Sequence, residues 1–240
     1  MIKIKEKLDV LKSVFKVVEN LNAEVSITFK RDRIYIRVVH PSNHCLIVIN
    51  IMKELFEEYE VKDEITYTLK IDLLNKILKK VGKKEICITT NMDGMIVNNS
   101  NEKFILNYYV GVEDERPLPD IKSTSRWKVK SDVFFKEIEE LSDFSTICKL
   151  YGSDSLMITT KAHMVSGDVG IADAEKIVCK NEIGYYDISY VNNIKDIKSV
   201  FKEVIIGYGD DQPLLINGVE NYVSFEFMLA NRVEGDSNNE

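Results

Sequence analysis

Apolar residues alternate with polar ones along most of the chain, in short runs of Val, Ile, Tyr, Thr and Phe cut by turns such as Lys30-Arg-Asp-Arg33, Met92-Asp-Gly94 and Gly152-Ser-Asp154. A period of two marks strands with one buried face, so β-structure is expected to dominate. Four segments instead carry apolar residues three and four apart and are predicted helices, at roughly 7–21 (Leu8, Leu11, Val14, Phe15, Val18, Leu21), 72–81 (Leu73, Leu74, Ile77, Leu78, Val81), 132–144 (Phe134, Phe135, Ile138, Leu141) and 191–201 (Ile194, Ile197, Val200, Phe201).

These elements recur in order. Each helix follows one short strand and precedes several, a β-α-β-β-β unit present four times, near 2–60, 65–110, 127–181 and 186–230. Tyr67 through Ile86 run parallel to Tyr186 through Ile205 without a gap, so Lys76, Lys79 and Lys83 fall on Lys195, Lys198 and Lys202. The proline-bearing segment Glu113-Asp-Glu-Arg-Pro-Leu-Pro-Asp-Ile121 separates the two halves. The expected organisation is a domain over 1–112, a connecting loop over 113–126, a second domain over 127–234 and a disordered tail over 235–240. The fold class is α+β: two similar domains, each with two helices on one face of antiparallel sheets. One helix per three or four strands covers only one sheet face, so the helices' polar faces are expected to line one continuous surface.

That surface changes the reading of charge. The formal net charge of −7 argues by itself against nucleic-acid binding. Yet the first helix carries Lys7, Lys12 and Lys16, the second helix and its exit Lys76, Lys79, Lys80, Lys83 and Lys84, and the fourth Lys195, Lys198 and Lys202, at spacings that put most of them on one side. The third is acidic, with Lys136 outnumbered by Asp132, Glu137, Glu139, Glu140 and Asp143.

Candidate chemistry is sparse. Cys45, Cys87, Cys148 and Cys179 are far apart, in apolar strand-like segments, and read as buried reduced thiols. Gly207-Tyr-Gly209 reads as a turn rather than a phosphate cradle, and Asp210-Asp211 as a solvated turn. His40, His44 and Cys45 resemble a metal set, but Pro41 rules out helical ligand spacing and no fourth ligand is evident. The expectation is no catalytic residue, no metal and no cofactor. No apolar run approaches the roughly 20 residues of a membrane span, and an intracellular location is the default.

Several segments then converge on one family. The repeated halves, Pro117-Leu-Pro-Asp-Ile121, His40-Pro-Ser-Asn-His-Cys-Leu-Ile47, Gly209-Asp-Asp-Gln-Pro-Leu-Leu215 and Phe227-Met-Leu-Ala-Asn-Arg-Val-Glu234 together resemble the archaeal and eukaryotic DNA sliding clamp, the proliferating cell nuclear antigen family, over nearly the whole chain. The resemblance implies a non-enzymatic processivity factor for DNA replication and repair: three chains closed head to tail, as a homotrimer or with paralogues, around duplex DNA held without sequence preference. Lys103–Val110 and Glu175–Lys180 match the family's pairing edges. Implied inner contacts are Lys12, Lys16, Lys76, Lys79, Lys80, Lys195, Lys198 and Lys202. The implied pocket for partner peptides comprises Val39, Leu118, Pro119, Ile121, Pro213, Met228, Leu229 and Ala230. Implied partners are a clamp loader, DNA polymerase and other enzymes with clamp-binding peptides. The location would be cytoplasmic and nucleoid-associated in an archaeon, nuclear in a eukaryote.

The chain departs from the family at two places. His40-Pro-Ser-Asn-His44-Cys45 stands where Asp-Pro-Ser-x-Val-Ala is usual, and Leu-Ala-Asn231-Arg where Leu-Ala-Pro-Arg is usual. These departures and the acidic third helix suit a divergent paralogue or one member of a mixed ring. Alternatives are a checkpoint-type clamp subunit, a metal-dependent enzyme using His40, His44 and Asp210, and a protein scaffold without DNA.

Overall fold

A computed structural model describes residues 1–4, 7–82, 85–91, 94–111, 116–162 and 165–232. Lys83, Lys84, part of the linker and the tail at 235–240 lie outside the described residues. Two compact units divide the chain: Met1–Pro41, Ile47–Arg116 and Val219–Phe225 form the first; Ser42–Leu46, Pro117–Gly218 and Glu226–Glu240 form the second.

The first unit contains β1 (Ile2–Ile4), α1 (Leu8–Leu21), β2 (Glu24–Phe29), β3 (Arg33–Val39), β4 (Cys45–Met52) and the short β5 (Glu58–Tyr59). It continues with β6 (Ile65–Lys70), α2 (Ile71–Val81), β7 (Ile86–Asn91), β8 (Gly94–Asn98), β9 (Lys103–Leu106) and β10 (Tyr109–Val110). Its sheets run β5-β1-β7-β8-β9 and β10-β6-β2-β3-β4. The first strand of each repeat therefore completes the other repeat's sheet: Ile2 pairs antiparallel with Ile88, and Val25 with Leu69.

The second unit repeats the exchange. It contains β11 (Ser125–Lys130), α3 (Ser131–Ser142), β12 (Ile147–Gly152), β13 (Leu156–Lys161), β14 (Ser166–Gly170) and β15 (Glu175–Val178). Then follow β16 (Ile183–Asp187), α4 (Ile188–Asn193), a 3-10 helix (Lys195–Ser199), β17 (Glu203–Tyr208), β18 (Leu214–Glu220) and β19 (Val223–Leu229), of which β18 and β19, like β4, have residues in both units. β11 pairs with β17, Trp127 opposite Ile206, and β16 with β12, Gly184 opposite Leu150. β11 begins two residues inside the segment read as linker.

The exchange also starts the helices. No side chain caps α2 or α3, and the first helical N–H must find another acceptor. Ile71 N–H donates to the Ala23 carbonyl at 3.1 Å, Ser131 N–H to Lys202 at 2.9 Å and Ile188 N–H to Thr146 at 2.8 Å. Each acceptor immediately precedes the strand that follows the partner repeat's helix. α1 then buries Leu8, Leu11, Val14, Phe15, Val17, Val18 and Leu21, and α2 buries Ile71, Leu74, Leu78 and Val81, each large side chain contributing about 1.5–3 kcal/mol.

The fourth helix differs from the single segment expected over 191–201. It begins at Ile188 and tightens into the 3-10 helix, where Ile197 N–H reaches Ile194 O at 3.0 Å and Val200 N–H reaches Ile197 O at 2.9 Å. The reason is in the spacing: Ile188, Val191, Ile194, Ile197 and Val200 recur at intervals of three, which keeps one face buried in a 3-10 helix but rotates off it in an α-helix.

Two of the cysteines also depart from expectation. Cys45 and Cys148 are buried, and burial pushes both thiols up to about 12, whereas Cys87 and Cys179 are half-buried; none of the four is in a disulfide. Among the described residues no helix is long and apolar enough to cross a membrane.

Candidate nucleic-acid interface and docking segments

The apolar faces of α1 and α2 point into the first unit's core, which leaves their lysines outward, but several are already engaged. Lys12 donates to the Gly82 carbonyl at 2.5 Å, closing the C-terminus of α2 where Gly82 takes a positive φ of 68°. Glu19 accepts from the Asn75 amide at 2.9 Å and pairs with Lys16 at 3.1 Å; Asn75, buried on α2, also donates to the Phe15 carbonyl at 3.1 Å. Lys76 pairs with Asp72 one turn back at 2.9 Å, and Lys76 holds that carboxyl below its ordinary range. Lys79 and Lys80 are exposed and form no ion pair among the described residues; the Lys80 ammonium stands 5.8 Å from the Phe104 ring centre.

The second unit presents a different balance. Lys195 pairs with Glu139 of α3 at 2.6 Å, and Lys136 with Glu140 at 3.3 Å and Glu137 at 3.7 Å. Lys198 and Lys202 are exposed. Over α1 and α2 five lysines face three carboxylates, a formal +2; over α3, α4 and the 3-10 helix three lysines face five carboxylates, a formal −2.

The residues expected to receive partner peptides divide between the units. Val39 is half-buried in the first. In the second, Leu118 and Pro119 are exposed, Ile121 and Pro213 are half-buried and Ala230 is exposed. Met228 and Leu229 are buried, Leu229 on the face that carries Phe225 and Phe227. The Gly207 and Gly209 pair has a role that a turn does not describe. Gly207 is inside β17, and a Cβ there would come within 2.5 Å of Ser123 Oγ, while one on Gly209 would come within 2.3 Å of Thr124 Oγ1. The two glycines admit the end of the linker against the strand. Asp210-Asp211 does form a turn, with Asp211 at φ 55° and Gln212 N–H on the Gly209 carbonyl.

The departures in the loop and C-terminal segment are tied together within the second unit. Ala230 N–H donates to the His44 carbonyl at 2.8 Å, and the His44 ring meets Tyr190 edge-on at 6.1 Å. Tyr190 OH and Ser42 Oγ lie 2.9 Å apart. Arg232 N–H donates to the Tyr185 carbonyl, and its guanidinium donates to Asp187 at 2.7 Å, the same carboxylate that caps α4 through Ser189 N–H at 3.0 Å. An ion pair on a nearly buried Asp187 thus holds the segment in which Asn231 replaces a proline. No His, Cys, Asp and Glu group converges to hold a metal among the described residues, and Asp210 is spent on the Ile183 N–H at 2.7 Å.

Exposed edges complete the surface. β9 closes one sheet of the first unit with Ile105 52% exposed, and Tyr109 of β10 is 76% exposed. A groove of about 420 Å³ beside them is lined by Leu69, Leu73, Ile105, Leu106, Tyr108 and Tyr109. β15 closes a sheet of the second unit, with Ile177 45% exposed.

Two units of paired β-α-β-β-β repeats define a DNA clamp fold. The solved PCNA2–PCNA3 complex from Sulfolobus tokodaii superposes with a TM-score of 0.85 at 21% identity, covering 96% of this chain and 98% of that one. A. fulgidus PCNA with the C-terminal region of FEN-1 bound gives 0.86 at 19% identity, covering 98% and 100%. Residues 2–113 match the family described as proliferating cell nuclear antigen, N-terminal domain. A relative from Nitrosopumilus maritimus called DNA polymerase sliding clamp is 28% identical over 94% of this chain and 96% of its own length. The chain is thus similar to the proliferating cell nuclear antigen family, in residues 2–113 by the family's N-terminal domain and over nearly its whole length by these relatives.

Arg232→Ala should loosen the C-terminal segment without unfolding the unit, at a local cost of about 1–2 kcal/mol for the lost charged hydrogen bond. Hydrogen exchange at the Ala230 and Arg232 amides should then speed by about ten-fold, at 1.4 kcal/mol per factor of ten; unchanged exchange would mean that the pair does not hold the segment.

Proposed function

We propose that this chain is a DNA polymerase sliding clamp subunit that works without chemistry of its own, three chains closing head to tail around duplex DNA and tethering replication and repair enzymes. The exposed lysines of α2 are the observation that carries the DNA reading: an acidic chain gathers a local positive excess on that helix. Lys79, Lys80, Lys198 and Lys202 are the exposed candidates for phosphate contact, and Lys16, Lys76 and Lys195 reach it by exchanging an existing partner. Lys12 contributes field while it closes α2. Lysine contacts to phosphate carry no base information, which suits a protein that must slide.

Ring closure follows from the free edges. The β9 and β10 edges beside the groove and the β15 edge of a second chain each have one side without a strand neighbour among the described residues, and antiparallel addition satisfies both. The relative solved as a PCNA2–PCNA3 complex supports a heteromeric version of the same closure. Within the second unit, the linker residues Leu118, Pro119 and Ile121, with Pro213, Met228, Leu229 and Ala230, are the docking residues for peptides from client enzymes, as the A. fulgidus protein solved with the FEN-1 C-terminal region supports. Tethering keeps a weakly bound enzyme at high effective concentration beside its template.

Light scattering on the purified chain, alone and mixed with any paralogue, should give a three-chain mass. Ile177→Asp should collapse it to one chain by placing a charge on the pairing edge; a wild-type chain that stays monomeric in every mixture would contradict the ring. A polymerase-tail peptide with apolar anchors should bind, and Ile121→Ala should weaken it by about ten-fold, the range of an interface hot spot.

A further inference from the structure

The helices of the two units do not carry the same charge, and Glu139 is one of the carboxylates behind the acidic excess of the second. Glu139 is exposed on α3, and its carboxylate lies 2.6 Å from Lys195 Nζ. Lys195 beside it holds its carboxyl below the ordinary range. Lys136, the one lysine of α3, is held by Glu140 and Glu137. In the first unit Lys76, in repeat register with Lys195, pairs with Asp72 of its own helix, while Lys79 and Lys80 form no ion pair among the described residues.

We infer that Glu139 masks Lys195 from the DNA backbone, so that the duplex is held more by α2 of the first unit than by the second. The inference rests on the clamp reading above. An exposed pair of this kind adds little stability, so its main consequence is for a charged ligand. A phosphate approaching Lys195 must displace Glu139 and remain close to it, which sets like charges together. Withdrawing a lysine from phosphate removes one counterion-release contact, or about 0.9 in the slope of log affinity against log salt. A clamp held more by one unit than by the other keeps topological retention while weakening the sequence-independent grip that would slow sliding.

The test uses the full chain and a labelled duplex, with fluorescence anisotropy measured across a salt series. Glu139→Gln, close in shape and on an exposed face, should bind several-fold tighter and steepen the salt slope by up to about 0.9 for each contact released. The gain should shrink markedly when Lys195→Ala is added, and Lys79→Ala should cost more than Lys195→Ala in the unaltered background. Unchanged affinity and slope in Glu139→Gln, or a gain that persists in full with Lys195→Ala, would overturn the inference while leaving the clamp reading intact. A wild-type chain with no salt-dependent binding at all would overturn the DNA reading and this inference together.

Discussion

Strand exchange between paired repeats is the constraint on which the rest depends. A single β-α-β-β-β unit cannot finish its own sheet, because its first strand is hydrogen-bonded into the neighbouring repeat's sheet. The same exchange supplies a backbone carbonyl to the first helical N–H of α2, α3 and α4. For α2 and α3, which no side chain caps, helix position is thereby set by sheet pairing, while α4 has the local Asp187 cap as well; the lysines on these helices inherit positions fixed by the strands. The two repeats of a unit must therefore fold together, and the outward helix faces come with them.

Much of this was legible in the sequence and some was not, for identifiable reasons. Alternation and helical spacing revealed four units in order, since each pattern is local. Exchange is invisible to such reading: Ile2-Lys-Ile4 has the same alternation whichever sheet it joins. The spacing over 191–201 predicts one helix, where the structure has an α-helix from Ile188 followed by a 3-10 helix, because apolar spacings of three belong to both helical patterns and only their unbroken succession from Ile188 to Val200 favours the tighter one. Gly207 and Gly209 looked like turn residues because the approaching linker is more than 80 positions away in the chain. The engagement of Lys12 with Gly82 and of Lys195 with Glu139 likewise joins distant segments.

Charge is where sequence and structure inform each other most. The net charge of −7 describes solubility, not the surface offered to a ligand. The helices of the first unit carry a formal +2 and those of the second −2, and the acidic excess of α3 neutralises lysines that the repeat would otherwise present. Duplicated folds permit this divergence: the outward charge of one copy can differ from that of the other without disturbing the core, because their helices bury the same kind of apolar face.

The central claim is topological, that the chain encircles DNA rather than adheres to it. The direct measurement is retention of the assembled protein on nicked circular plasmid, at salt high enough to abolish simple lysine–phosphate binding, before and after a single enzymatic cut. The account predicts stable retention on the circle and loss once the DNA has ends. Equal retention on circular and linear DNA, or none on the circle under any loading condition, would contradict it.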